Sequence, residues 1–180
     1  MKVLIHTCCA PCLTYPLEKL RSDKSDVSSF FYNPNIHPYL EYKRRRDCAG
    51  QYCEVLGVEF IEGNYEMERY FRDIAYKENM RCSICYSLRL IETAKYAKKG
   101  NYDAFTTTML VSPYQKHDLI DEIGRSIGTE YGIQFLYQDF RKGWKDAISI
   151  SRENNLYRQK YCGCVYSEKE RYYKSNKKND

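Results

Sequence analysis

The side chains with the most chemical reach in this chain are its nine cysteines, and six of them fall in pairs. Cys8 and Cys9 are adjacent, Cys82 and Cys85 form CxxC, and Cys162 and Cys164 flank Gly163 as CGC. Nine cysteines in 180 residues exceed what packing asks for, and their clustering suits a metal or redox centre. Thiolate is the form that binds metals and exchanges with disulfides, so each pair marks a place for thiolate chemistry. At a helix start, where the CxxC is expected, free backbone N–H groups and the helix dipole stabilise negative sulfur. That spacing serves half a metal site and a thioredoxin-like redox pair equally well. Vicinal residues send their sulfurs in different directions. Cys8 and Cys9 therefore favour a multi-iron cluster with separated attachment points over a single tetrahedral zinc, with a metal-free dithiol as the third alternative.

In the CGC segment, Gly163 can take the tight backbone shape that a CxC disulfide needs. Such a disulfide is strained and easily reduced, so it is suited to storing two electrons; a third ligand pair or two packed thiols are the alternatives. Cys12 is close enough to the vicinal pair to join a metal site. Cys48 and Cys53 have no partner motif and are expected to act as small buried hydrophobes.

These residues need a scaffold, and the pattern around them supplies one. Lys2–Thr7, Val27–Tyr32, Val58–Ile61, Asp103–Thr108 and Ile133–Leu136 are β-branched, aromatic and aliphatic runs of strand length. Helical patterns separate them: 84–98 places Ile84, Leu88 and Ile91 on one face, and 115–131 places Leu119, Ile123, Ile127 and Tyr131 four apart. Ser112 with Gln115 reads as a capping box, with Pro113 at the first helical position. Strand and helix alternating about five times predict one α/β domain with a mainly parallel sheet covered on both faces. In such sheets ligands sit past the carboxyl ends of the strands, where the chain order reverses. The loops at Cys8–Cys12 and Thr106–Ser112 are then expected to be neighbours at that crevice. His6 is expected in the core and His117 at the surface, while His37 lies in a proline-stiffened loop just past a strand end.

The apolar stretch before Cys8, Val3 to Ile5, is too short for a signal-peptide core or a membrane span, so a soluble cytosolic protein is expected. In a reducing compartment paired cysteines read as ligands or redox groups rather than staples. The net charge of +5, from 29 basic and 24 acidic residues, permits an anionic partner without demanding one. Lys43 to Arg46 form a compact basic run, residues 168–180 a lysine-rich tail to a domain of residues 1–167, and nineteen tyrosines offer rings for stacking. Where an adenylating enzyme would carry a glycine-rich phosphate loop, this chain has HTCCAPC, which argues against ATP use.

Taken in order, HTCCAPC, YNPNIHPYLEYKRR, RCSICYSLRL, FTTTMLVSPYQ and LYRQKYCGCVYS resemble the cobalamin-independent epoxyqueuosine reductases, the QueH family, from about Val3 to Ser167. The resemblance implies a Rossmann-like (HUP-type) domain that reduces the epoxide of epoxyqueuosine in tRNA to the cyclopentene of queuosine. It implies a [4Fe–4S] cluster on Cys8, Cys9, Cys82 and Cys85, a neighbouring second metal (iron), and an external electron donor. Many members carry Asp where this chain has Cys12, so the resemblance alone does not assign Cys12 to the second metal. For an anticodon-loop base the candidates are Tyr32, Tyr42 and Tyr114 for stacking and Asn33, Asn35, His37 and Ser112 for polar contacts. Arg44, Arg45 and Arg46 are the candidates for tRNA phosphates, and Cys162 and Cys164 for the redox step. Two other readings use the same cysteines: a zinc-stabilised RNA-binding module without catalysis, and a heterodisulfide-reductase-like iron–sulfur domain.

Overall fold

The computed structural model describes residues 1–173. Val3, Leu4 and Ile5 have no solvent exposure, as expected of the central strand of a parallel sheet covered on both faces. They form β1 (Lys2–His6), followed in the chain by β2 (Asp26–Phe31), β3 (Phe60–Glu62), β4 (Ala104–Thr107) and β5 (Gln134–Phe135). Every pairing is parallel and the order is β3-β2-β1-β4-β5. In register, Ile5 lies between Ser29 of β2 and Thr106 of β4.

The helices are α1 (Ala10–Ser22), α2 (Tyr39–Val55), α3 (Met67–Ile74), α4 (Arg81–Lys99), α5 (His117–Tyr131), α6 (Trp144–Glu153) and α7 (Val165–Tyr172). Leu13, Leu17 and Leu20 turn one stripe of α1 into the core, and α1 packs against α2 and α6 while α4 packs against α3 and α5. All five expected strands are present, with bounds shifted by one or two residues. α7 runs across position 167, where the lysine-rich segment was expected to begin; that segment's residues 174–180 lie outside the described residues.

Three expectations need correction. α5 begins at His117, not within a Ser112–Gln115 capping box: the Ser112 hydroxyl accepts from the Tyr114 amide, and the Gln115 side chain is drawn to the Tyr86 hydroxyl instead of back to the chain. The buried stripe of α5 is Ile120, Gly124, Ile127 and Gly128, turned from the expected one. Gly124 explains this, because a Cβ there would stand 2.3 Å from the Phe135 ring, so the helix can sit this close to β5 only without a side chain. His117 is buried, not surface, and its Nε2 pairs with the Ser112 carbonyl at 2.9 Å.

The carboxyl edge of the sheet is latched by polar groups. His6, buried as expected, links Thr107 Oγ1 (3.0 Å) and the Tyr32 carbonyl (3.1 Å), and Thr7 Oγ1 meets Ser29 Oγ at 2.7 Å. These bonds satisfy polar atoms that would otherwise be stranded in a dry interior. They also fix the strand ends on which the site is built.

Candidate active site and metal centre

Because β1 lies between β2 and β4, the chain order reverses beside it and the loops after β1 and β4 meet. The contact is direct: the Cys8 amide donates to Thr108 Oγ1 at 3.1 Å, and the Thr108 hydroxyl donates to Cys8 Sγ at 3.3 Å. Cys9 is the extended residue leading into α1, and Cys12, expected in the loop, stands in the first turn of that helix. The sulfurs of Cys8, Cys9 and Cys12 all lie within 4.8 Å of one another. Cys8 and Cys9 are 3.7 Å apart, close to the spacing of about 3.8 Å that two ligands of a tetrahedral ion with metal–sulfur bonds near 2.3 Å would have.

Ionisation within the triad is shared. Hydrogen bonds from the Cys12 and Cys9 thiols, helped by Thr108, hold Cys8 well below the usual thiol range. Burial pushes Cys9 up, and hydrogen bonding to Cys8 and Cys9 does the same to Cys12. One negative charge is thus accommodated readily, and three would need a cation among them. Soft, buried, converging donors of this kind fit a thiophilic metal.

Cys82 and Cys85 occupy the first turn of α4, as expected, but stand outside that close triad; no other set of three among the described residues converges so tightly. Burial pushes the Cys85 thiol up to about 12, against the pull of Arg89. Arg89 connects the two groups, since its guanidinium feels the charge of Cys85, Cys162 and Cys8. The CGC cysteines are free and diverge. Cys162 is exposed, with Gln115 Nε2 at 3.5 Å from its sulfur, whereas Cys164 is buried beside Tyr70, Ile74, Cys85 and Leu88 and its sulfur accepts from the Ser167 amide at the start of α7.

A cavity of about 420 Å³ opens at this point, with Cys8, Cys12, Arg89, Ser112, Gln115 and Cys162 on its wall and Tyr114 and Trp144 at its side. Tyr114 is 82 % exposed and meets Trp144 edge-on at 6.0 Å. Expected site residues therefore divide. Ser112 and Tyr114 face the cavity. Tyr32 and Tyr42 are buried, Tyr32 giving its hydroxyl to Glu66 Oε2 at 2.6 Å and Tyr42 packing on Tyr65 at 4.0 Å, so neither ring is free to stack on a base. Asn33 and Asn35 are buried as well, with Asn33 Nδ2 donating to the Thr7 carbonyl at 2.9 Å. His37 lies against Phe71 at 4.5 Å, and burial lowers its pKa to about 4.

Arg45 is the sharpest correction. Expected on the surface for phosphate, it is 1 % exposed, paired with Glu41 at 2.7 Å, and its remaining donors hold the carbonyls of Cys162 (2.8 Å) and Tyr161 (3.1 Å). The CGC turn is thereby fastened to α2, and the His37 amide in the β2–α2 loop adds a bond to Gly163 O at 2.9 Å. Gly163 has φ +154°, and a Cβ there would meet Asn35 and Ile36 at 3.1 Å, so glycine is needed on both counts. Arg46 is partly exposed and paired with Asp47 and Glu62, and Arg44 lies over the Tyr157 ring. Sequence reading missed Arg89, Gln115 and Gln159 as cavity residues. One signal was present: Cys82, Cys85 and Arg89 are spaced i, i+3, i+7 and share a helix face. Cys9 and Cys12 are likewise a CxxC, masked by reading Cys9 as the partner of Cys8.

No helix among the described residues is long and apolar enough to cross a membrane. The fold is similar to that of a predicted subunit of a tRNA methyltransferase from Methanocaldococcus jannaschii, with a TM-score of 0.55 at 13 % identity over 85 % of this chain and 76 % of that one. Sequence relatives lie much nearer. Proteins named epoxyqueuosine reductase QueH are 39 % identical in Dehalococcoides mccartyi (97 % of either chain covered) and 37 % identical in Thermotoga maritima (94 % of this chain, 91 % of the relative). The one in Staphylococcus aureus is 36 % identical over 92 % of this chain and 75 % of its own. The family model described as epoxyqueuosine reductase QueH matches residues 3–170, a span that takes in the thiol triad, the α4 cysteines and the CGC turn. A crevice built of cysteines and a match of that length agree: the chain belongs to the epoxyqueuosine reductase QueH family, and it is an oxidoreductase.

Proposed function

We propose that this protein reduces the epoxide of epoxyqueuosine in tRNA to the cyclopentene of queuosine, the last step of queuosine biosynthesis. The observation that carries this reading is the convergence of the Cys8, Cys9 and Cys12 sulfurs at the switch point, beside a cavity that also holds Cys162. The conversion consumes two electrons and two protons and releases the oxygen as water. Cys8, Cys9, Cys82 and Cys85 would hold a [4Fe–4S] cluster, and Cys12 would contribute to a second, iron site. When bound, such a cluster supplies electrons one at a time from an external donor.

The protein's own residues do the rest. Trp144, Tyr114 and the cavity wall receive a base splayed out of a single-stranded loop, with Ser112 as a polar contact. Arg44 and Arg46 bind tRNA phosphates, an attraction that weakens with salt. Cys162 stands at the cavity wall as one half of a dithiol store with Cys164, which has to leave its capping position on α7 to pair. The partners in this reading are tRNA and an electron donor, without ATP or a membrane, in the cytoplasm. Residues 1–167 are the reductase unit.

The test is an anaerobic iron and sulfide assay with an absorption spectrum, joined to nucleoside analysis of tRNA that carries the epoxide. Wild-type protein is expected to show broad cluster absorbance and to form queuosine, and Cys82→Ala to lose both. Zinc without iron, together with RNA binding and no turnover, would replace this reading with a zinc-stabilised RNA-binding module. The 3.7 Å Cys8–Cys9 spacing is the observation that favours that second reading.

A further inference from the structure

Arg89 presents an arrangement that the reading above does not use. It is 2 % exposed, it has no carboxylate within ion-pair distance among the described residues, and its Nη2 has no hydrogen-bond partner. Its one hydrogen bond to protein runs from Nε to the Cys85 carbonyl at 3.1 Å, within its own helix. The Tyr86 ring lies 5.8 Å from the guanidinium carbon and supplies a face rather than a lone pair. A guanidinium cannot shed its charge, and with no carboxylate beside it this buried cation has only the sulfurs of Cys85, Cys162 and Cys8 nearby to offset it. This one borders the cavity that Cys8, Cys12 and Cys162 share. On the wall of the same cavity, Gln159 turns its amide nitrogen to Cys12 Sγ at 3.7 Å and leaves its Oε1 buried and unpartnered. A permanently cationic side chain with a spare donor and an amide with a spare acceptor thus belong to residues that line one cavity.

We infer that Arg89 is a catalytic residue that binds the epoxide oxygen through its free guanidinium face and stabilises the negative charge that grows on that oxygen as its bonds to carbon break. The inference rests on the epoxide-reducing reading above. An epoxide oxygen only accepts hydrogen bonds, so it complements Arg89 and not Gln159, which suits a hydroxyl or amine of the same substrate. Both C–O bonds break and a C=C bond forms; two electrons enter from an external low-potential one-electron donor, and two protons from solvent convert the departing oxygen to water. Arg89 keeps its protons throughout. Its contribution is a preoriented, buried positive charge, which stabilises the transition state more than the neutral ground state. An RNA phosphate suits Lys160 and Arg171, which also line the cavity, better than Arg89, which is 2 % exposed.

The experiment compares wild type, Arg89→Met and Arg89→Lys, prepared anaerobically, with methyl viologen reduced by dithionite as donor. Four quantities are read: iron content and spectrum, thermal midpoint, affinity for tRNA carrying the epoxide or the alkene, and single-turnover rate. Arg89→Met is expected to keep its iron and its affinity for alkene tRNA, and to lose about 10²-fold in rate. Arg89→Lys, which keeps the charge but not the planar fork, recovers part of that rate, and added guanidinium ion restores part of it to Arg89→Met. Full rate in a folded Arg89→Met overturns the inference, and so does a rate loss that tracks lost iron, which would assign Arg89 to the metal site. If Arg89→Met does not fold, Arg89→Lys decides: wild-type rate with the guanidinium gone overturns the inference. A wild-type protein loaded with iron that leaves the epoxide intact defeats the parent reading instead, and the two failures are distinct.

Discussion

Two loops leave the carboxyl edge of the same sheet, one after β2 and one after β4, and both looked in the sequence like ligand loops. The β2–α2 loop, Tyr32 to Pro38, carries two asparagines and a histidine between prolines, yet all three polar side chains are buried. It serves as a footing: the His37 amide binds the CGC turn to it, the Tyr161 hydroxyl donates to the His37 carbonyl, and Arg45 of the following α2 clamps the same turn. The loop after β4 carries Thr108, Ser112, Tyr114 and Gln115, and these reach the thiol site or the cavity. Polar residues after a strand end can serve either the fold or the ligand. What distinguishes them is whether another segment of the chain lies on top.

This contrast predicts that the first loop and its clamp fail by unfolding and the second by losing function. Arg45→Met has the largest expected effect. It removes the ion pair of the nearly buried Glu41 carboxylate, which keeps only the Tyr157 hydroxyl, and frees the CGC carbonyls, at a cost of about 3–5 kcal/mol in urea unfolding. An unchanged urea midpoint would remove the clamp from the argument. Asn33→Ala loses the bond to the Thr7 carbonyl and is expected to cost about 1–3 kcal/mol in thermal unfolding, with the cavity chemistry unaffected when the protein is folded.

Acid provides a graded version of the same test. His37 is neutral in the fold, with its pKa lowered from 6.5 to about 4, so the unfolded chain takes up its proton first as the pH falls. The stability it contributes is complete above about pH 6.5, declines as the pH falls toward 4, and does not change further below that. His37→Phe should flatten that part of a plot of melting temperature against pH, and an unaltered slope would show that the ring titrates freely. The smallest structural effect is expected at Tyr114→Ala. Its ring is 82 % exposed, so stability should hold within about 0.5 kcal/mol, while binding of substrate tRNA weakens by about 1–3 kcal/mol if a base stacks there. Equal affinity in a filter-binding titration would move the stacking surface elsewhere.

The sheet was legible because its strands are short apolar runs buried on both faces, and the meeting of the β1 and β4 loops followed from topology alone. Cys8 and Cys9 were legible by type and adjacency. Arg45 was not, because three basic residues in a row look alike until one is seen to point inward, and that depends on a partner segment 116 residues later. Tyr32 and Tyr42 were misjudged for a related reason: a tyrosine beyond a strand end stacks on a base or on its own neighbours according to packing that composition does not encode. Gln115 looked like a helix cap because the local pattern allowed it, and the nearby Tyr86 hydroxyl prevailed.

The clamp formed by Arg45 also orders events in time. All five strands and the three clustered thiols precede residue 136, whereas Gln159, Tyr161 and Cys162 come from the segment between α6 and α7. A chain emerging from the ribosome therefore completes its sheet while the sulfurs of Cys8 and Cys12 still lack that side of their enclosure. During synthesis the thiol site is an open dish, and arrival of the CGC turn raises its last wall.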